Sequence, residues 1–69
     1  MNATRERMKM LMREKGLTIE GWARSQGINE GIASKVVSRY VGKERRPSGV
    51  TGIRIIEGLE AETGVKLCG

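Results

Sequence analysis

Asn29, Gly31, Ile32, Ser34, Lys35 and Ser38 fall within ten consecutive positions and together offer the chemistry needed to read the edges of DNA bases. An asparagine amide presents a donor and an acceptor in one plane, which adenine can meet bidentately, and a lysine ammonium donates to guanine O6 or N7. The hydroxyls of Ser34 and Ser38 are short donors to bases or phosphates, and Ile32 suits the methyl group of thymine. Gly31 adds room rather than a contact. Glu30 could accept from cytosine N4, but a carboxylate at a helix start is better explained by the helix dipole.

Positive charge surrounds this stretch. Arg24, Arg39, Lys43, Arg45 and Arg46 are the candidates for phosphate contacts. The chain has a net charge of +5 and a pI near 10.0, and the placement of that charge says more than its total. Residues 35–54 hold six basic side chains, Lys35, Arg39, Lys43, Arg45, Arg46 and Arg54, against Glu44 alone, while the other 49 residues carry seven of each sign. A local excess that begins among the base-reading residues and continues past them is the footprint expected for phosphate contacts. The alternative is a solvated charged face with no partner.

Other chemistry lacks its residues. With no histidine, no aspartate and a lone cysteine at Cys68, the chain has no evident acid–base pair, nucleophile or metal set, so neither an enzyme nor a metal or other cofactor is expected. Glu57, Glu60 and Glu62 are close in sequence, but Glu57 and Glu60 are expected on a solvated helix face opposite the isoleucines rather than as a catalytic carboxylate pair. The ten glycines are scattered as breaks and loop residues and form no phosphate-cradling loop, so no small-molecule substrate is expected. Cys68 is expected to be an exposed, inert thiol, or one that crosslinks adventitiously in air.

The base-reading residues need a helix held at a steep angle to the one before it. Residues 21–37 have that pattern. Trp22 and Ala23 sit about one turn ahead of Gly27, which can take a positive φ where the chain turns, and Ile28 follows as a buried pivot. Asn29 then caps a third helix from about Glu30 to Val41, with Ala33, Val36, Val37 and Tyr40 inward and Gly42 as its stop. Two helices joined by so short a turn form a helix-turn-helix, here about residues 18–41, with a recognition helix of about 29–41 for the major groove.

The remaining segments must supply a core. Asn2 or Thr4 starts a first helix to about Lys15, with Met8, Leu11, Met12 and Lys15 on one stripe and Arg5, Glu6, Lys9 and Arg13 mostly on the other; Gly16 ends it and Leu17 folds back on Met12. Thr18 caps a short second helix, Ile19 to Gln26, in which Trp22 is the expected centre of the core. Gly21 inside that helix costs about 1 kcal/mol relative to alanine, so it either permits a close helix approach or simply lowers stability. Residues 42–50 read as a basic loop, and Ser48 or Thr51 caps a closing helix, about 51–63, with Ile53, Ile55, Ile56, Leu59 and Thr63 as its stripe. Gly64 closes it, Val65 and Leu67 fall on a short tail, and part of the isoleucine surface could be shared with a second subunit as a homodimer.

At 69 residues, and with a 38% hydrophobic content that contains no phenylalanine, the chain is expected to be one small all-α, four-helix domain. No apolar run approaches a membrane span and the N-terminus is too polar for a signal peptide, so a cytoplasmic protein with no membrane contact is expected.

Trp22-Ala23-Arg24, Gly27, the spacing to Val36-Val37, the arginine-rich loop and the isoleucine-rich helix ending at Gly64-Val65-Lys66 resemble the small helix-turn-helix regulators of phages and prophages. These are the Ner-like and Cro-like proteins and those of Mu-like phages, and the resemblance covers about residues 8–67. The chain departs from that pattern at Ala33, which is smaller than the usual branched aliphatic. The resemblance implies a lambda repressor-like fold and control of phage transcription through an operator, by a dimer or by two monomers on adjacent half-sites. Two other readings compete: a protein-interaction module that uses the helix-turn-helix only as a scaffold, and a nonspecific architectural DNA binder.

Overall fold

The computed structural model describes residues 2–69. Four helices account for most of them: α1 (Ala3–Glu14), α2 (Ile19–Ser25), α3 (Glu30–Tyr40) and α4 (Val50–Thr63), with no strand among the described residues. Three of the four starts are set by a side-chain oxygen that accepts one of the helix's unpaired amides. Asn2 Oδ1 accepts from Arg5 N at 3.0 Å, Thr18 Oγ1 from Gly21 N at 3.0 Å, and Asn29 Oδ1 from Ile32 N at 3.1 Å. At the other end of α1, Leu17 N donates to Met12 O at 2.8 Å, the fold-back expected from the sequence.

α4 starts differently. Neither Ser48 nor Thr51 caps it: Gly49 is the N-cap and no side chain bonds there. The entry of the chain is fixed by shape instead. Pro47 is buried, and a Cβ placed on Gly52 would lie 2.7 Å from Pro47 Cβ, so the proline ring rests on the first turn of the helix where a hydroxyl cap was expected.

The core draws on every helix. Met8 and Met12 of α1, Trp22 and Ala23 of α2, Ala33 and Val37 of α3, and Ile55, Ile56 and Leu59 of α4 form one buried cluster, joined by Ile28 and Val41 from the connections. α2 packs on α3, α3 on α4, and α1 on α4, within 28 × 26 × 19 Å. The Trp22 ring lies against the backbone of Gly58, where a Cβ would come within 2.6 Å of Trp22 Cζ2. The close approach considered for Gly21 therefore occurs at Gly58; a Cβ at Gly21 would meet only Thr18 Oγ1, at 3.1 Å.

Several expectations are corrected by this packing. Leu11 is only half-buried, and Lys15, placed on the apolar stripe of α1, is exposed and bonds through Nζ to Glu62 Oε2 at 3.1 Å on α4. Ile53 remains 37% exposed, whereas Ile55, Ile56 and Leu59 are fully buried. Those three residues belong to the core of the monomer, and Ile53 is the isoleucine of α4 that remains exposed. Leu67 and Cys68 do not lie on a loose tail: both are buried, because Gly42 N donates to Leu67 O at 2.8 Å and Gly69 N to Lys43 O at 2.9 Å. Burial also corrects the exposed thiol expected at Cys68. No helix of the described residues is long and apolar enough to cross a membrane.

A Gly58→Ala substitution would drive a methyl group into the Trp22 ring and is expected to lower stability by about 1–3 kcal/mol despite its better helix propensity. Chemical denaturation followed by tryptophan fluorescence measures this, with Glu57→Ala on the exposed side of α4 as the near-neutral comparison.

Candidate nucleic-acid interface

The orientation of α3 is set by the turn that precedes it. Gly27 has φ +72°, its N–H donates to Arg24 O at 3.1 Å, and Ile28 N donates to Ala23 O at 2.8 Å, so the last turn of α2 is closed within the backbone. Ile28 is buried beneath the turn. Two side chains brace it from outside: Arg24 Nη2 pairs with Glu30 Oε1 at 2.6 Å, and Arg54 Nη2 of α4 donates to Gln26 O at 3.2 Å. Glu30 thus acts in the turn and at the positive end of α3, the structural role favoured for it.

With Ala33 and Val37 fully buried and Val36 and Tyr40 partly packed on the core, α3 turns another face to solvent. Gly31, Lys35, Ser38 and Arg39 are exposed, Ile32 is 46% exposed and Ser34 is half-buried. Ser34, Lys35, Ser38 and Arg39 form one wall of an open groove of about 620 Å³, whose other wall is Pro47 and Gly49 at the uncapped start of α4. A neighbouring groove of about 490 Å³ gathers Arg39, Lys43 and Arg45, with Glu44 the one acidic side chain beside them. Six of the candidate residues, Ser34, Lys35, Ser38, Arg39, Lys43 and Arg45, thus share a continuous stretch of surface.

Three candidates are engaged elsewhere. Asn29 Oδ1 accepts from Ile32 N, so the side chain is held in the cap of α3, with one lone pair of that oxygen and the amide NH2 left over. Arg24 is tied to Glu30, although its side chain is 73% exposed. Arg46, expected on a phosphate, forms a fork with Glu60 instead: Nη2 to Oε1 at 2.8 Å and Nη1 to Oε2 at 3.0 Å, with Nη1 also donating to Cys68 O at 3.1 Å. Glu60 Oε2 accepts from Leu67 N at 2.9 Å as well. The Arg46–Glu60 pair therefore latches the C-terminal segment onto α4, and Glu60 does not share a solvated face with Glu57.

The electrostatics of the latch follow from this geometry. The Arg46 hydrogen bonds hold the Glu60 carboxyl below the usual carboxylate range, with a further contribution from Leu67 N, and the Glu60 carboxylate in turn raises the Arg46 guanidinium. Burial pushes the Cys68 thiol up, against the nearby positive charge of Arg46, which makes it a poorer nucleophile than a free cysteine.

A second basic group lies on α1, on the polar stripe expected opposite Met8 and Met12. Arg5, Lys9 and Arg13 of α1 recur at four-residue steps, the spacing that stacks side chains on one helix face, and they line a groove of about 360 Å³ together with Thr18, Glu20 and Ser34. Their charge was hidden in the total by Glu6, Glu14 and Glu20, although the spacing itself was there to be read.

Comparison with known proteins adds no relative: no family model matches the chain, and no curated protein or solved structure is significantly similar to it.

Because Glu60 titrates lower when folded than when unfolded, its contribution to stability is complete above the ordinary carboxylate pKa of about 4.3 and is lost as the pH falls through its lowered folded value. Thermal melts from pH 7 to pH 2 are expected to show wild type above Glu60→Gln at neutral pH and the two converging in acid. The glutamine keeps one acceptor, for Leu67 N, but replaces the other oxygen with an NH2 that cannot accept from Arg46, so the difference reports the charge together with half of the fork.

Proposed function

We propose that α2, its turn and α3 form a helix-turn-helix of the lambda repressor-like kind, and that the chain is a sequence-specific regulator of transcription binding double-stranded DNA. In this reading α3 enters the major groove, Ile32, Ser34, Lys35 and Ser38 meet base edges, and Gly31 leaves the backbone room to approach. Arg39, Lys43 and Arg45 hold phosphates beside it. Arg24 joins them if an incoming phosphate displaces Glu30, while Arg46 stays in its internal pair.

The observation that carries this reading is the composition of one surface. The exposed side of α3 combines hydroxyl, ammonium and apolar groups with guanidinium and ammonium groups at its C-terminal end, and none of Lys35, Arg39, Lys43 and Arg45 is in an ion pair among the described residues. Such a mixture suits base edges flanked by phosphates. The resemblance of residues 8–67 to phage and prophage regulators adds the biological setting: operator control inside a bacterial host cell.

The interaction-module reading needed exposed apolar surface around Ile55, Ile56 and Leu59, and all three are fully buried. What α4 still exposes is Val50, at 85%, and Ile53. A purely architectural binder would have little use for the non-basic groups on α3.

Two measurements test the proposal. In an NMR titration with a short generic duplex at low and near-physiological salt, amide shifts are expected at residues 31–39 and 43–45; shifts confined to α4, or none at either salt, would defeat it. Once a preferred sequence is selected from random duplexes, Lys35→Ala is expected to relax the preference at one position by about 1–3 kcal/mol. Arg45→Ala is expected to weaken all sequences alike and to flatten the salt dependence by about one unit of slope.

A further inference from the structure

α3 is the shared wall of two grooves. Ser34 lines both: on one side the facing wall is Pro47 and Gly49, and on the other it is α1 together with the start of α2. The second groove carries Arg5, Lys9 and Arg13 against a single acidic residue, Glu20. None of the three forms an ion pair among the described residues, in contrast to Arg24 and Arg46. Arg5 is half-buried, and its Nε is shielded from solvent with no hydrogen-bond partner, so its stem is packed while its charge has no internal compensation.

A helix that fills the major groove, about 12 Å wide, has a phosphate ridge on either side of it. Arg39, Lys43 and Arg45 supply cations for one ridge only. We propose that Arg5, Lys9 and Arg13 form a second phosphate-binding bank, which holds the opposite ridge of the duplex while α3 lies between the two. At four-residue steps the three charges spread over about 12 Å of helix axis, long enough to follow several successive phosphates of one strand. The proposal rests on the DNA-binding reading above and adds a contact surface to it. It makes the footprint two-sided, and it gives α1, which carries no base-reading residue, a part in binding.

The test compares three doubly substituted proteins of equal net charge on a generic duplex, by measuring affinity as a function of salt. Lys9→Gln/Arg13→Gln alters the proposed bank while sparing the packed Arg5. Arg39→Gln/Lys43→Gln alters the other bank, and Arg7→Gln/Lys66→Gln removes charge outside both grooves. Each lost phosphate contact lowers the slope of log affinity against log salt by about 0.9. The expected result is a drop of about two for each of the first two proteins and little change for the third, with thermal melts showing all three folded. If the α1 protein keeps the wild-type slope while the Arg39/Lys43 protein loses it, the second bank is overturned and the DNA-binding reading stands. An equal drop in all three would reduce the α1 effect to net charge and also overturn the second bank. If wild type itself binds no duplex at low salt, both readings fall.

Discussion

The contact between the Trp22 ring and the bare backbone of Gly58 is the constraint from which the rest of the arrangement follows. Trp22 is the one tryptophan in a chain without phenylalanine, so its position decides where α2 can sit. Because Gly58 has no side chain, the ring settles directly on α4. The turn at Gly27 leads from α2 into α3 over the buried pivot Ile28. Ala33 and Val37 are then fully buried in the cluster, which orients the opposite side of α3 outward. The exposed surface of α3 is in this sense the back of a core contact.

The cations divide by partner. Lys15, Arg24 and Arg46 are taken up by Glu62, Glu30 and Glu60, which tie α1 to α4, α2 to α3, and the segment after α3 to α4. Exposed pairs of this kind add little stability one by one, but they fix geometry and remove charge from the set available to a polyanion. Those left unpaired are concentrated along the exposed side and C-terminal end of α3 and on one face of α1. A count of basic residues along the sequence cannot make this division, because Arg45 and Arg46 are chemically identical neighbours with opposite fates.

What the sequence disclosed, and what it withheld, follows the range of the interactions. Four helices, their glycine stops, and the caps at Asn2, Thr18 and Asn29 are local features, and each could be read from a few neighbouring residues. Trp22, Ile28 and the inward residues of α3 followed from periodicity. The start of α4 did not, because it depends on a proline ring packing on Gly52 rather than on a hydroxyl in the usual position. The burial of Leu67 and Cys68 and the engagement of Arg46 involve partners 14 to 26 residues away across the fold, and no spacing rule announces them. The capping role of Asn29 was legible from its place just before α3, and its oxygen accepts from Ile32 N there.

The segment just after α3 is a seam where distant parts of the chain meet. Besides capping α1, Asn2 donates through Nδ2 to Val41 O at 2.6 Å across 39 residues of sequence, and Gly42 N reaches forward to Leu67 O. Closing loops of this length carries an entropic cost that the short turn between α2 and α3 does not, so the order of assembly is built into the topology. The α2–α3 pair can form from neighbours, whereas the seam closes only when both ends of the described chain are in place. Molecules in which the seam has opened would keep the α2–α3 turn, and their local unfolding would be confined to the far end of α3 from the cap at Asn29.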